Sequence, residues 1–136
     1  MCWVTNIKAV CKIAKEDIKI FKVCSPSDVN PEILISSYWG FKYELNKVYS
    51  TEEKLEVMVC FSDVCYSEIH KGFHSFASDC TIIKNSVIAI WNSNRFLDSY
   101  NWDDVIVYGY IPEGAHYYLN ERGEYVSDKI CLTEII

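Results

Sequence analysis

The chain has 136 residues and a mass of 15.8 kDa, enough for one compact domain spanning 1–136 and too little for two. Half of it is hydrophobic, 15% aromatic and 24% charged, with 5 Gly and 3 Pro, which excludes a disordered tail and a collagenous or low-complexity chain. The formal net charge of −6 argues against direct binding of free nucleic acid and favours a partner with a basic surface.

In chain order, Ile18-Lys19-Ile20-Phe21-Lys22-Val23 has the β-branched and aromatic content of a strand with one partly wet face. Ser25-Pro26-Ser27-Asp28 and Asn30-Pro31 punctuate it, because proline removes a donor and disfavours helix just before it. Ile33 to Leu45 reads as a second extended region, turned by Asn46-Lys47 into Val48-Tyr49. Leu55 to Phe61 places Leu55, Val57 and Val59 on one face and Glu56, Met58 and Cys60 on the other, which predicts a strand. Gly72-Phe73-His74-Ser75-Phe76 reads as a short aromatic strand.

After it, Ser78-Asp79 predicts a helix cap. Cys80, Ile83, Val87, Ile90 and Trp91 then fall on one helical stripe; the rival is a hairpin turning near Asn85-Ser86. Val105 to Ile111 predicts a strand stopped by Pro112-Glu113-Gly114. His116 to Leu119, a turn at Asn120-Glu121-Arg122-Gly123, Tyr125-Val126 and Ile130-Cys131-Leu132 complete an antiparallel meander. Short strands in succession with one or two helices predict an α+β domain built on a twisted, mainly antiparallel sheet.

Cys2, Cys11, Cys24, Cys60, Cys65, Cys80 and Cys131 are an odd set. The start, Met1-Cys2-Trp3-Val4, lacks the basic and apolar regions of a secretory leader, and Lys8, Lys12, Lys15, Lys19 and Lys22 break every early apolar run. The expectation is a cytoplasmic protein with reduced, buried cysteines and no membrane span. Cys60, Cys65, His70, His74 and Cys80 come nearest to a metal pattern. Only four residues separate Cys65 from His70, too few for a zinc-finger fold-back, so no bound metal is expected.

Several segments in this order resemble a family of small phage and mobile-element proteins of Bacteroidetes-type bacteria that has no settled activity. They are 13–23 (Ile-Ala-Lys-Glu-Asp-Ile-Lys-Ile-Phe-Lys-Val), 43–49 (Tyr-Glu-Leu-Asn-Lys-Val-Tyr), 71–76 (Lys-Gly-Phe-His-Ser-Phe), 111–114 (Ile-Pro-Glu-Gly) and 117–127 (Tyr-Tyr-Leu-Asn-Glu-Arg-Gly-Glu-Tyr-Val-Ser). The resemblance implies an accessory gene, a setting in which anti-defence proteins such as anti-CRISPRs are common.

A more distant similarity is to single-domain ADP-ribosyltransferases, through Ile20-Phe21-Lys22-Val23, Gly72-Phe73-His74-Ser75-Phe76-Ala77-Ser78, and Glu121 with Glu124. It implies NAD as cofactor, Lys22 and Ser75 as its contacts, Glu124 as the carboxylate that stabilises oxocarbenium charge, and His74 as an assisting group. Lys22 stands where the family has Arg, and Phe76 where it has a hydroxyl residue.

Other residues have a plain and a sharp reading. His74 and His116 read plainly as strand histidines beside aromatics and sharply as bases near neutral pH. Glu52, Glu53, Asp103 and Asp104 read plainly as solvated surface, and sharply as an acidic face entering the Lys/Arg-lined channel of a host defence nuclease or ribonucleoprotein. Trp39 and Trp102 would then be its anchors. On these grounds the expected function is binding without a cofactor, as an anti-defence inhibitor; the alternative is NAD-dependent ADP-ribosyl transfer.

Overall fold

The computed structural model describes residues 3–5, 9–27, 29–30, 33–36, 41–52, 54–61, 65–69, 71–78 and 105–135. Their strands are β1 (Trp3–Thr5), β2 (Lys12–Ile13), β3 (Ile18–Pro26), β4 (Ile33–Ser36), β5 (Lys42–Glu44), β6 (Val48–Ser50), β7 (Met58–Phe61), β8 (Cys65–Ile69), β9 (Phe73–Ala77), β10 (Val105–Ile111), β11 (His116–Leu119), β12 (Glu124–Ser127) and β13 (Lys129–Ile135). The described residues are 62% strand and contain no helix, so this part of the chain is all-β. The α+β expectation is overturned here, together with the transferase-like core attached to it. The physical reason is the two-residue alternation that runs through these segments, as in β9, where Phe73, Ser75 and Ala77 are buried and His74 and Phe76 are half-buried. The helix expected from Ser78-Asp79 through Trp91 lies outside the described residues from Asp79 on. No described helix is long and apolar enough to cross a membrane.

The larger sheet runs β2-β11-β12-β9-β3-β10-β13-β6, antiparallel at every step, with β4 and β5 branching from β3. A smaller antiparallel sheet runs β1-β8-β7. β3 is the pivot. β10 pairs along one edge from Ile18 to Cys24, while the other edge is divided between β9 at Ile20 and Phe21 and β4 at Cys24 to Pro26.

Two cores follow from the alternation. Ile20, Cys24, Leu34, Tyr43, Phe73, Val107, Ile111, Ile130 and Leu132 fill the first. Leu55, Ile69, Tyr118 and Val126 fill the second, where Ile69 of the smaller sheet meets Val126 of the larger. Fully burying each such aliphatic side chain contributes about 1.5–3 kcal/mol, which is the main force holding the layers together.

Turn chemistry sets the hairpins. The buried Asn120 accepts Arg122 and Glu124 N–H on its Oδ1 at 3.0 and 2.9 Å, which closes the β11–β12 turn. Asn46 takes φ 62° between β5 and β6, a conformation asparagine tolerates well. Gly109 stands at a shift in the β10–β13 register, where an added Cβ would collide with the Cys131 carbonyl; only glycine fits.

Candidate functional site

Where β9 and β4 part along the edge of β3, the ladder between β3 and β9 stops after Phe21 and Phe76. Lys22 is the next residue, in phase with Ile20 and Cys24, so its side chain points into the first core and is only 8% exposed. Its Nζ donates to the His74 carbonyl at 2.6 Å, so a side chain makes the bond that the diverging backbone no longer makes. The same Nζ lies 5.9 Å from the centre of the Tyr43 ring, a cation–π contact.

Aromatic rings roof this position. Phe41 contacts Tyr43, Tyr49 and Phe73 at centroid distances of 4.8, 5.4 and 5.6 Å, and Tyr43 contacts Tyr49 at 5.3 Å. Most of these pairs are steep or edge-on, the arrangement favoured by ring quadrupoles. Burial pushes the Lys22 ammonium below its ordinary range, partly opposed by the nearby Cys24. Burial likewise pushes the Tyr43 hydroxyl up, helped by Cys24 and Tyr49.

Ser75 lies across from Lys22 on β9, 3% exposed, and its Oγ has no hydrogen-bond partner among the described residues. A buried hydroxyl without a partner costs about 1–3 kcal/mol. Lys22 and Ser75 thus face the interior beneath an aromatic roof, a place for a structural cation rather than for a phosphate arriving from solvent.

The other two residues of the transferase reading stand on the opposite face. Glu124 pairs with Phe76 and Val126 with His74, and Phe76 stacks on Phe21 at 5.2 Å, on the side away from Lys22 and Ser75. The sheet therefore brings the strands of Lys22, Ser75 and Glu124 together as neighbours and separates the side chains onto two faces. Of the residues expected at a binding face, Glu52 is exposed just after β6, whereas Trp39, Glu53, Trp102, Asp103 and Asp104 lie outside the described residues.

No group of three or more His, Cys, Asp or Glu side chains converges as a metal site among the described residues. The sequence reading missed Phe41, Tyr43 and Tyr49 as the surroundings of Lys22. The phase of β3 was the available signal: Lys22 repeats with Ile20 and Cys24, while Lys19 repeats with Phe21 and Val23. Among the cysteines whose side chains are described, Cys24 and Cys131 are buried, as expected, while Cys11 is exposed.

No family model, curated protein or solved structure matches the chain.

Proposed function

We propose that the protein works by binding, as an anti-defence inhibitor from a phage or mobile element whose acidic surface engages a basic nuclease or ribonucleoprotein of the host. The observation that carries the choice of binding over ADP-ribosyl transfer is the division of Lys22 and Ser75 from His74 and Glu124 across the sheet. A transferase needs its cation, hydroxyl and carboxylate around one nicotinamide ribose. The net charge of −6 supports a basic partner, since opposite potentials speed encounter and disfavour free nucleic acid. The resemblance to phage and mobile-element proteins supplies the setting, and the cytoplasm of the bacterial host is where such a target is met.

A tagged pull-down from host lysate, with partners identified by mass spectrometry, tests the reading together with phage survival after deletion of the gene. Recovery of a nuclease or defence ribonucleoprotein, released by raised salt, is the expected result. No defence component and unchanged phage survival would defeat it. Labelled NAD incubated with the same lysate should leave no band that Glu124→Gln removes; such a band would restore the transferase.

A further inference from the structure

The aromatic roof over Lys22 carries a second cation. Lys47, two residues before Tyr49 in the chain, places its Nζ 5.3 Å from the centre of the Tyr49 ring. The same Nζ is 3.9 Å from Glu44 Oε2, too long for a hydrogen bond, and the Lys47 and Glu44 side chains are 58% and 62% exposed. Among the described residues, the Glu44 carboxylate therefore keeps its acceptor capacity, and Lys47 is loosely held.

The seat beneath this cation is fixed in place. The Glu44 backbone N–H donates to the Tyr49 hydroxyl at 2.8 Å, so the residue that brings the carboxylate also anchors the ring. Phe41 and Tyr43 meet Tyr49 nearly edge-on, at interplanar angles of 85° and 83°. Tyr43 is buried and ties the group into the first core, whereas Phe41 is 41% exposed. A ring held at its hydroxyl and along its body needs little further ordering when a ligand arrives.

We propose that Tyr49, Glu44 and Phe41 form a seat for an arginine side chain of a basic protein partner, with Lys47 as the occupant that it displaces. The inference rests on the reading of this chain as a binder of a basic target, and it names the side chain taken. A guanidinium is planar and weakly hydrated, so it stacks on an aromatic ring while giving parallel N–H donors to a carboxylate. An ammonium is a compact, strongly hydrated point charge, and Lys47 meets the ring and the carboxylate only at a distance. Exchange thus replaces a loose contact with a closer one. The net charge of −6 draws a cationic partner toward this surface.

The test titrates the folded full-length chain with oligo-arginine and oligo-lysine peptides of equal length, read by fluorescence anisotropy and by backbone amide shifts. The arginine peptide should bind more tightly and shift the Glu44 and Tyr49 amides. Glu44→Gln, a change at an exposed side chain, should weaken it about fivefold. Lys47→Ala should strengthen it about twofold by vacating the seat. Lys12→Ala makes the same charge change on β2, at the opposite end of the sheet order from β6, and should leave the affinity unchanged. Equal affinity for the lysine peptide, no loss in Glu44→Gln, or an equal gain in Lys12→Ala would overturn the seat. In the host-lysate pull-down, a defence component retained in full by Glu44→Gln would overturn the seat and leave the wider reading standing. Capture of no defence component by the parent chain defeats the wider reading, whatever the peptides show.

Discussion

The Thr5 hydroxyl donates to the Glu121 carboxylate at 2.6 Å, tying the smaller sheet to the tip of the β11–β12 hairpin. Thr5 is 1% exposed, so the bond is shielded from water on one side, and it stands beside the layer of Ile69 and Val126. Hydrogen bonds to charged groups contribute about 1.5–3 kcal/mol when well formed. Thr5→Val should therefore destabilise the protein by about 1–2 kcal/mol, read as a lower urea midpoint with an unchanged slope. Glu121→Gln should cost less, since the amide still accepts.

Lys22 provides a pH test. Burial lowers its affinity for a proton in the folded state relative to the ordinary value of 10.5, so the unfolded chain binds more protons over that interval. Stability should rise with pH up to about 10, where the tyrosines begin to ionise. Tyr43, pushed upward by burial, then reverses the slope, because the unfolded state loses its tyrosine proton first. Lys22→Met should flatten the rising limb and leave the reversal, as measured by urea unfolding across pH.

Ser75 supplies the opposite sign from most core substitutions. Its buried hydroxyl has no partner among the described residues, so Ser75→Ala removes an uncompensated polar group. The expected change in thermal midpoint is zero or a rise of a few degrees, equivalent to about 1 kcal/mol of stabilisation. A fall of several degrees would mean that the hydroxyl is held by a group such as an ordered water.

Gly109→Ala should be severe for so small a change. The added methyl meets the Cys131 carbonyl at the register shift between β10 and β13, and backbone cannot yield as a side-chain tip does. Forced overpacking costs about 1–3 kcal/mol. Faster hydrogen exchange along Tyr108 to Tyr110 should accompany the loss.

Strands in the last third of the chain were legible because their signals are local. Val105 to Ile111 is a run of β-branched and aromatic residues around one glycine that ends at a proline, and the strand spans those residues. Leu55 to Phe61 was read as one strand, but only Met58–Phe61 pairs, since alternation does not say where a partner begins. The extended reading of Ile33 to Leu45 likewise covers two strands, β4 and β5, with 37–40 outside the described residues.

The environment of Lys22 was less legible because it depends on which strands leave β3 and where. Ser75 was singled out for a resemblance to a cofactor site; its consequence for stability comes from the divergence of β9 and β4. His116 was read as a strand histidine. Its pairing with Asp128 needs the β11–β12 hairpin to close and the chain to bend after Ser127, a relation between residues that no local pattern contains.

β3 lies near the start of the chain, yet β10, which pairs with it from Ile18 to Cys24, comes in the last third. On the ribosome, the emerging chain carries the open β10-facing edge of β3, with Ile20, Phe21 and Cys24 unshielded, through most of synthesis. Closure of the sheet waits for Val105 to Ile111 to leave the exit tunnel. Pairings between distant segments also slow refolding. During that interval the exposed edge can pair with a second nascent chain, so yield should fall with expression rate and recover when translation is slowed or a holding chaperone is supplied.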